Sequence, residues 1–158
     1  MAKEIERKFL VRGSDWKAYG PGVSCRQGYL SRVPGRTVRV RVMGGRGYLT
    51  VKGASIGASR PEFEYEIPVA DAEAMLAGLC EKPLIEKCRF AIGYAGRRWE
   101  IDEFFGDNLG LVIAEIELED EREEFELPPW VDREVTEDPR YYNASLAANP
   151  YRSWKNRE

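Results

Sequence analysis

The sequence contains no histidine. That absence removes Ser-His-Asp and Cys-His nucleophilic catalysis, histidine-based zinc sites and any imidazole switch near neutral pH. Cysteine is scarce: Cys25, Cys80 and Cys88 are odd in number, and no Cys-x-x-Cys spacing occurs. A disulfide framework is therefore not expected, and a reducing, cytoplasmic setting is. No apolar run approaches the roughly 20 residues a membrane helix needs. The opening MAKEIERKFL is charged from its third residue, unlike a signal peptide, so no membrane partner is expected. The chemistry left to this chain uses carboxylates, ammonium and guanidinium groups, hydroxyls, thiols or backbone.

What is present is charge, and it is segregated. The 158 residues fit one domain, and no linker, repeat or low-complexity tract divides them. A net charge of −3 conceals a basic first third. Between Trp16 and Pro61 there is no acidic residue, while Lys17, Arg26, Arg32, Arg36, Arg39, Arg41, Arg46, Lys52 and Arg60 are basic. From Glu100 to Glu126 the balance reverses, with Arg122 the only basic residue. Such runs form either solvated faces or an anion site and a cation site drawn from different parts of the chain. Nucleic acid is not an expected partner of a net acidic chain whose acidic and basic strands interleave.

Period-2 alternation dominates, at 4–10 (EIERKFL), 37–43 (TVRVRVM), 48–52 (YLTVK), 62–69 (EFEYEIPV), 85–92 (IEKCRFAI), 97–102 (RRWEID) and 112–119 (VIAEIELE). Hairpin turns are expected at GGRG (44–47) and GYAG (93–96). Helices are expected over 72–80 with Asp71 as N-cap, over a short acidic stretch at 119–125, and at 143–148 (NASLAA). The fold class is mainly β, with too many strands to lie flat without curling or closing.

In an ordinary sandwich the polar face of each strand meets water and its charges carry no message. The strands here, however, hold like-charge pairs two residues apart: Glu4/Glu6, Arg39/Arg41, Lys87/Arg89, Glu100/Asp102 and Glu115/Glu117. Such side chains share a face at about 7 Å and repel unless opposite charges lie between them. If the sheet closes with these faces inward, acidic pairs supply hard oxygen ligands for Mg2+ or Mn2+. Basic pairs, with Lys8, Lys52 and Arg60, would hold phosphate groups. A lumen with both sets suits a metal-chelated polyphosphate.

The residues themselves add a resemblance. EIERK at 4–8 matches the ExExK signature of the CYTH superfamily, the triphosphate tunnel metalloenzymes. QGYLS (27–31), TVRVR (37–41), LTVK (49–52), RPEFEYEI (60–67), IEKCRF (85–90), WEIDEF (99–104), AEIELE (114–119) and EVTEDPRYYNASLA (134–147) follow in order. The chain therefore resembles the short, single-domain branch, with one domain over 1–158. The resemblance implies a closed eight-stranded antiparallel barrel with a charged lumen and a few flanking helices, the helix at 143–148 closing one end. It implies divalent metal at Glu4, Glu6 and Glu117, with Glu115 as a neighbour and Asp102 assisting a second metal or positioning water. It implies triphosphate held by Lys8, Arg39, Arg41, Lys52, Lys87 and Arg89, with Arg60, Glu62 and Glu64 on the RxExE stretch. Glu4, Glu6, Lys8 and Glu117 are the catalytic candidates. Lys8, beside two glutamates, is expected to stay protonated, leaving a carboxylate or metal-activated water as base.

The function so implied is metal-dependent hydrolysis of a linear triphosphate, first of all inorganic tripolyphosphate. The alternatives are cyclisation of ATP to cyclic AMP, hydrolysis of thiamine or nucleoside triphosphates, and non-catalytic binding of polyphosphate or nucleotide. A homodimer would cover an outward apolar barrel face, although no feature demands one. Trp16, Trp99, Trp130 and Trp154 read as packing residues and Tyr29 as a packing residue that could touch substrate. Gly44, Gly45 and Gly47 read as a turn, because no GK[ST] follows them.

Overall fold

The computed structural model describes residues 3–154. Nine strands form in chain order: β1 (Lys3–Val11), β2 (Val23–Val33), β3 (Arg36–Met43), β4 (Arg46–Gly53), β5 (Ser59–Ile67), β6 (Ile85–Tyr94), β7 (Arg97–Phe104), β8 (Val112–Glu117) and β9 (Val131–Glu134). Two α-helices accompany them, α1 (Val69–Gly78) and α2 (Asn143–Ala148). The strand order is β5-β4-β3-β2-β6-β7-β8-β1-β9, and a further β5–β1 pairing closes the first eight into an antiparallel barrel. β1 is shared along its length: Lys3 to Ile5 pair with β5, whereas Phe9 and Val11 pair with β9. The expected domain 1–158 includes residues 1–2 and 155–158, which lie outside the described residues. Among the described residues no helix is long and apolar enough to cross a membrane.

Both expected hairpins form. Gly44 and Gly45 carry φ of 59° and 79°, and Ala95 and Gly96 carry 51° and 76°, the paired positive values that match the twist of a two-residue hairpin. Gly28 in β2 is required for a different reason: a Cβ there would lie 2.7 Å from Leu84 Cδ2 and 2.9 Å from Cys80 Cβ.

The outward faces are covered in two places. Ile5, Phe9, Trp16, Ile92, Trp99, Ile101, Ala114, Ile116, Leu118, Trp130 and Val131 form one core between β1, β6, β7 and β8 and the loops that cross them. Trp99 is its centre, fully buried and edge-on to Trp130 and Phe125 at 5.5 and 5.8 Å. Replacing such a side chain with alanine costs about 3–5 kcal/mol. On the opposite side α1 buries Ala72 and Leu76 against Val40. A third core caps one end of the barrel, where Leu146 and Ala147 of α2 pack with Tyr29, Ile85, Phe104, Ile113, Tyr141 and Trp154.

Two local expectations are corrected. Asp71 lies inside the first turn of α1, not at its N-cap, which is Pro68. No helix forms over 119–125. There Asp120 Oδ1 accepts from the Arg122 N–H, and Glu123 Oε1 accepts from the Glu119 N–H. These local bonds compete with the helical ladder, and Glu119/Glu123 would repel across one helical turn. Strand β9 lies outside every segment whose alternation predicts a strand.

Candidate active site

Closure of the barrel fixes which side chains meet, because residues paired across antiparallel strands share a face. Glu4 lies opposite Arg60, Glu6 opposite Glu117, and Lys8 opposite Glu115. Further round, Lys52 faces Glu62 and Thr37, and Arg39 faces Thr50 and Tyr29. Arg89 faces Asp102, and Glu100 faces Glu115. The alternating charged faces thus point inward and enclose a cavity of about 940 Å³. Glu4, Glu6, Lys8, Arg39, Arg41, Lys52, Arg60, Arg89, Glu115 and Glu117 all line it.

Two carboxylate pairs stand on the β1/β5/β8 side. Lys52 Nζ is 3.1 Å from both oxygens of Glu4 and 3.3 Å from Glu62 Oε2, and Arg60 Nε donates to Glu4 Oε1 at 3.2 Å. Burial alone would raise the pKa of Glu4, but Lys52, the hydrogen bond from Glu62 and Arg60 outweigh it and hold it at about 2. Glu62 moves the other way, to about 7, through burial and the charge and hydrogen bond of Glu4. Within the pair Glu4 is the ionised member and Glu62 the one whose affinity for a proton is raised. Glu6 and Glu115 repeat the arrangement. Lys8 Nζ sits 3.3 Å from Glu6 and 3.4 Å from Glu115. Against its burial, Lys8 lowers Glu6 to about 2, whereas Glu115 is raised by burial and by Glu6. Lys8 is itself raised: burial opposes its charge, but Glu115, Glu6 and Glu4 outweigh it. It stays an ammonium. Glu117 is raised by burial and then by Glu4 and Glu6.

The β3 side is different. Arg39 and Arg41 are 8% and 5% exposed, and the Nε of each has no hydrogen-bond partner among the described residues. Arg39 has one side-chain bond, from Nη2 to Thr50 Oγ1 at 3.3 Å. No carboxylate among the described residues forms an ion pair with either guanidinium. Burial, Arg39 and Arg89 all lower the pKa of Arg41.

Two predicted residues stand apart from the lining. Lys87 is fully buried and its Nζ lies 2.8 Å from Asp102 Oδ2, while Arg89 Nε and Nη2 donate to the two Asp102 oxygens at 2.8 and 2.9 Å. Both carboxylate oxygens of Asp102 are thus engaged, and neither Asp102 nor Lys87 lines the cavity. Burial lowers Lys87 to about 8, whereas Asp102, despite its burial, is held well below the carboxylate range by Arg89 and Lys87.

Sequence reasoning missed Gln27 and Asn143. Asn143 Oδ1 accepts from Gln27 Nε2 at 3.0 Å and from Lys87 Nζ at 3.1 Å. Gln27 is uncharged and Asn143 sits on a helix, so neither produces the like-charge alternation that exposed the others.

Among the described residues no three carboxylate or thiol groups converge into a ready metal cage. The donor set nevertheless fits a hard divalent ion. All candidate donors are oxygens, and the raised proton affinity of Glu62 beside Glu4 and of Glu115 beside Glu6 marks places where a cation would relieve the repulsion between carboxylates. The rest of such an ion's shell would come from water and substrate oxygen.

The CYTH domain model matches residues 2–151. An inorganic triphosphatase of Acetivibrio thermocellus is 56% identical over 155 residues, covering 98% of this chain and 99% of that protein. One of Nitrosomonas europaea is 39% identical over 149 residues, covering 91% and 96%. A crystal structure of an inorganic triphosphatase, 36% identical, superposes with a TM-score of 0.64 over 91% of this chain and 97% of that one.

Proposed function

The chain belongs to the CYTH domain family, and from that premise we propose that it hydrolyses a linear triphosphate, inorganic tripolyphosphate first, releasing orthophosphate. The observation that carries this reading is the pair of buried guanidinium groups, Arg39 and Arg41, which form no ion pair among the described residues, inside the same cavity as paired carboxylates. A buried, unmatched charge is costly, and two together call for an anion with several oxygens. The relatives named inorganic triphosphatase, matched over nearly their whole length, support the same substrate.

Glu4, Glu6, Glu115 and Glu117 would hold the divalent ion, Mg2+ or Mn2+, which supplies charge neutralisation and polarises phosphoryl oxygens. Asp102 is left out of this set and acts as counter-ion to Lys87 and Arg89. Arg39, Arg41 and Arg89, with Lys52 and Arg60, bind the phosphate oxygens, and Lys8 holds Glu6 and Glu115 in place while presenting its ammonium to the cavity. Water attacks the terminal phosphorus, the bridging P–O bond breaks, and pyrophosphate leaves. The proton from water is taken by a cavity carboxylate that is not engaged with the ion. Three free cysteines suit a reducing, cytoplasmic location.

The test is to incubate purified protein with tripolyphosphate, ATP or thiamine triphosphate, with Mg2+, with Mn2+, or with excess chelator. Orthophosphate from tripolyphosphate, abolished by chelator, is expected. Pyrophosphate and cyclic AMP from ATP would replace this reading with that of a cyclase, and binding without turnover would leave a binding module.

A further inference from the structure

Asn143 opens α2 and lines the cavity beside Tyr142, Ala144 and Ser145. Its Oδ1 is committed twice, to Lys87 Nζ at 3.1 Å and to Gln27 Nε2 at 3.0 Å. Both partner atoms are donors only, so the orientation of the amide is fixed, with oxygen toward them and nitrogen away. The Nδ2 group, two N–H donors on a cavity-lining residue, has no hydrogen-bond partner among the described residues. Directly behind it lies packed apolar structure: Leu146 and Ala147 join Tyr29, Phe104, Ile113 and Trp154 in the core that caps this end. A phosphate reaching this end meets N–H donors, but an ester group attached to it would have to displace buried side chains.

We propose that Asn143 is a specificity-determining residue whose Nδ2 donates to the unsubstituted end phosphate of the chain, the α2 cap behind it refusing any ester group at that end. The inference rests on the triphosphatase reading and adds a rule to it: at least one end of the substrate must be a free phosphate, and that end enters first.

Two variants and one substrate test this. Asn143→Asp keeps an oxygen acceptor for Lys87 and Gln27 but presents oxygen where phosphate expects a donor. Asn143→Ala removes both. A contact made equally in ground and transition states acts on KM with kcat little changed. For tripolyphosphate the KM of Asn143→Asp should rise about 30-fold or more, and that of Asn143→Ala about 10-fold, on the scale of one charge-assisted hydrogen bond lost or replaced by repulsion. A role confined to holding Lys87 would reverse this order, because aspartate preserves that acceptor. A KM for Asn143→Asp near the wild-type value therefore overturns the assignment. If that variant fails to fold, an unchanged KM in Asn143→Ala overturns it equally. A triphosphate esterified at both ends, such as a dinucleoside triphosphate, should be neither bound nor cleaved by the wild-type protein; its turnover also overturns the proposal. Wild-type protein that binds tripolyphosphate without hydrolysing it would overturn the hydrolase reading alone, and the Asn143 variants are then compared by calorimetric Kd.

Discussion

Along β1, β5 and β8 the carboxylates of the cavity have cations of the same chain within reach: Lys52 and Arg60 at Glu4, Lys8 at Glu6 and Glu115. Along β3, neither Arg39 nor Arg41 forms an ion pair among the described residues; at Arg41 the opposing influence of Arg39 and Arg89 outweighs the attraction of Glu64. The basic wall is the more deeply buried: Arg39 and Arg41 are buried, while the acidic wall runs from buried Glu4 to exposed Glu117. A carboxylate cluster can relieve its charge by binding protons more tightly, the direction in which Glu62 and Glu115 are shifted, and can borrow lysines. Guanidinium groups cannot deprotonate in this way and remain charged. The acidic wall thus has two ways of standing without ligand, whereas the basic wall has one remedy, an external anion. Under the proposed function the basic wall calls for an anionic substrate, and the acidic wall would hold the metal that accompanies it.

The comparison is broken most severely by Glu6→Ala. If the acidic wall holds the metal, turnover of tripolyphosphate should fall at least about 100-fold, the scale of losing an electrostatic stabiliser in a site that excludes water. Circular dichroism should show the fold retained, and a near-normal rate would sink the metal assignment. Arg41→Ala acts on the other wall. It should raise KM about 10- to 100-fold, as expected for charge-assisted hydrogen bonds to phosphate, yet leave the melting temperature of the free protein equal or higher, because an unmatched buried charge has been removed. A lower melting temperature would mean that Arg41 has a structural partner. Lys52→Ala should behave oppositely. It leaves Glu4 with Arg60 alone and should destabilise the free protein by about 1–3 kcal/mol, the range for an under-satisfied buried charge. Chemical denaturation of the three variants side by side tests the asymmetry directly.

Most of the lumen was legible because period-2 alternation is strict and the interior is charged. Glu4/Glu6, Arg39/Arg41 and Glu115/Glu117 needed only parity to be placed together. Parity, however, reports face and not depth. Asp102 shares its face with Glu100 and Phe104, and Glu115 shares its face with Ile113. The same face of one strand passes from charged lumen to apolar cap within two residues, and Lys87 and Asp102 fall at that transition. No spacing rule marks it, because it depends on where α2 docks. Asn143 was hidden for the same reason: its helix was expected, but which barrel residues it reaches is a tertiary fact. β9 is four residues long and gains its place by pairing with the free half of β1, which a local pattern cannot disclose.

The acidic wall makes one further prediction, smaller in effect but with a defined sign. In the folded protein Glu62 titrates at about 7, raised by burial and by Glu4, against 4.5 when free of these neighbours. Between those values the folded state binds more protons than the unfolded state, so stability declines as pH rises through the window. Glu115 and Glu117 are raised too and act in the same direction. Glu4 and Glu6, held at about 2, give stability that is present above their unfolded value and lost only as pH falls below it, outside this range. With no histidine in the chain, no imidazole titration obscures the window. Metal-free protein should therefore melt a few degrees lower at pH 7.5 than at pH 5.5, at about 2–4 °C per kcal/mol for a chain of this size. Glu62→Gln keeps a hydrogen-bond donor toward Glu4 without the proton equilibrium. It should raise the melting temperature at pH 7.5 and shrink the difference between the two pH values. If wild type and variant lose the same number of degrees, Glu4 does not raise the proton affinity of Glu62. The basic wall would then not be the only one that depends on an external ligand to settle its charge.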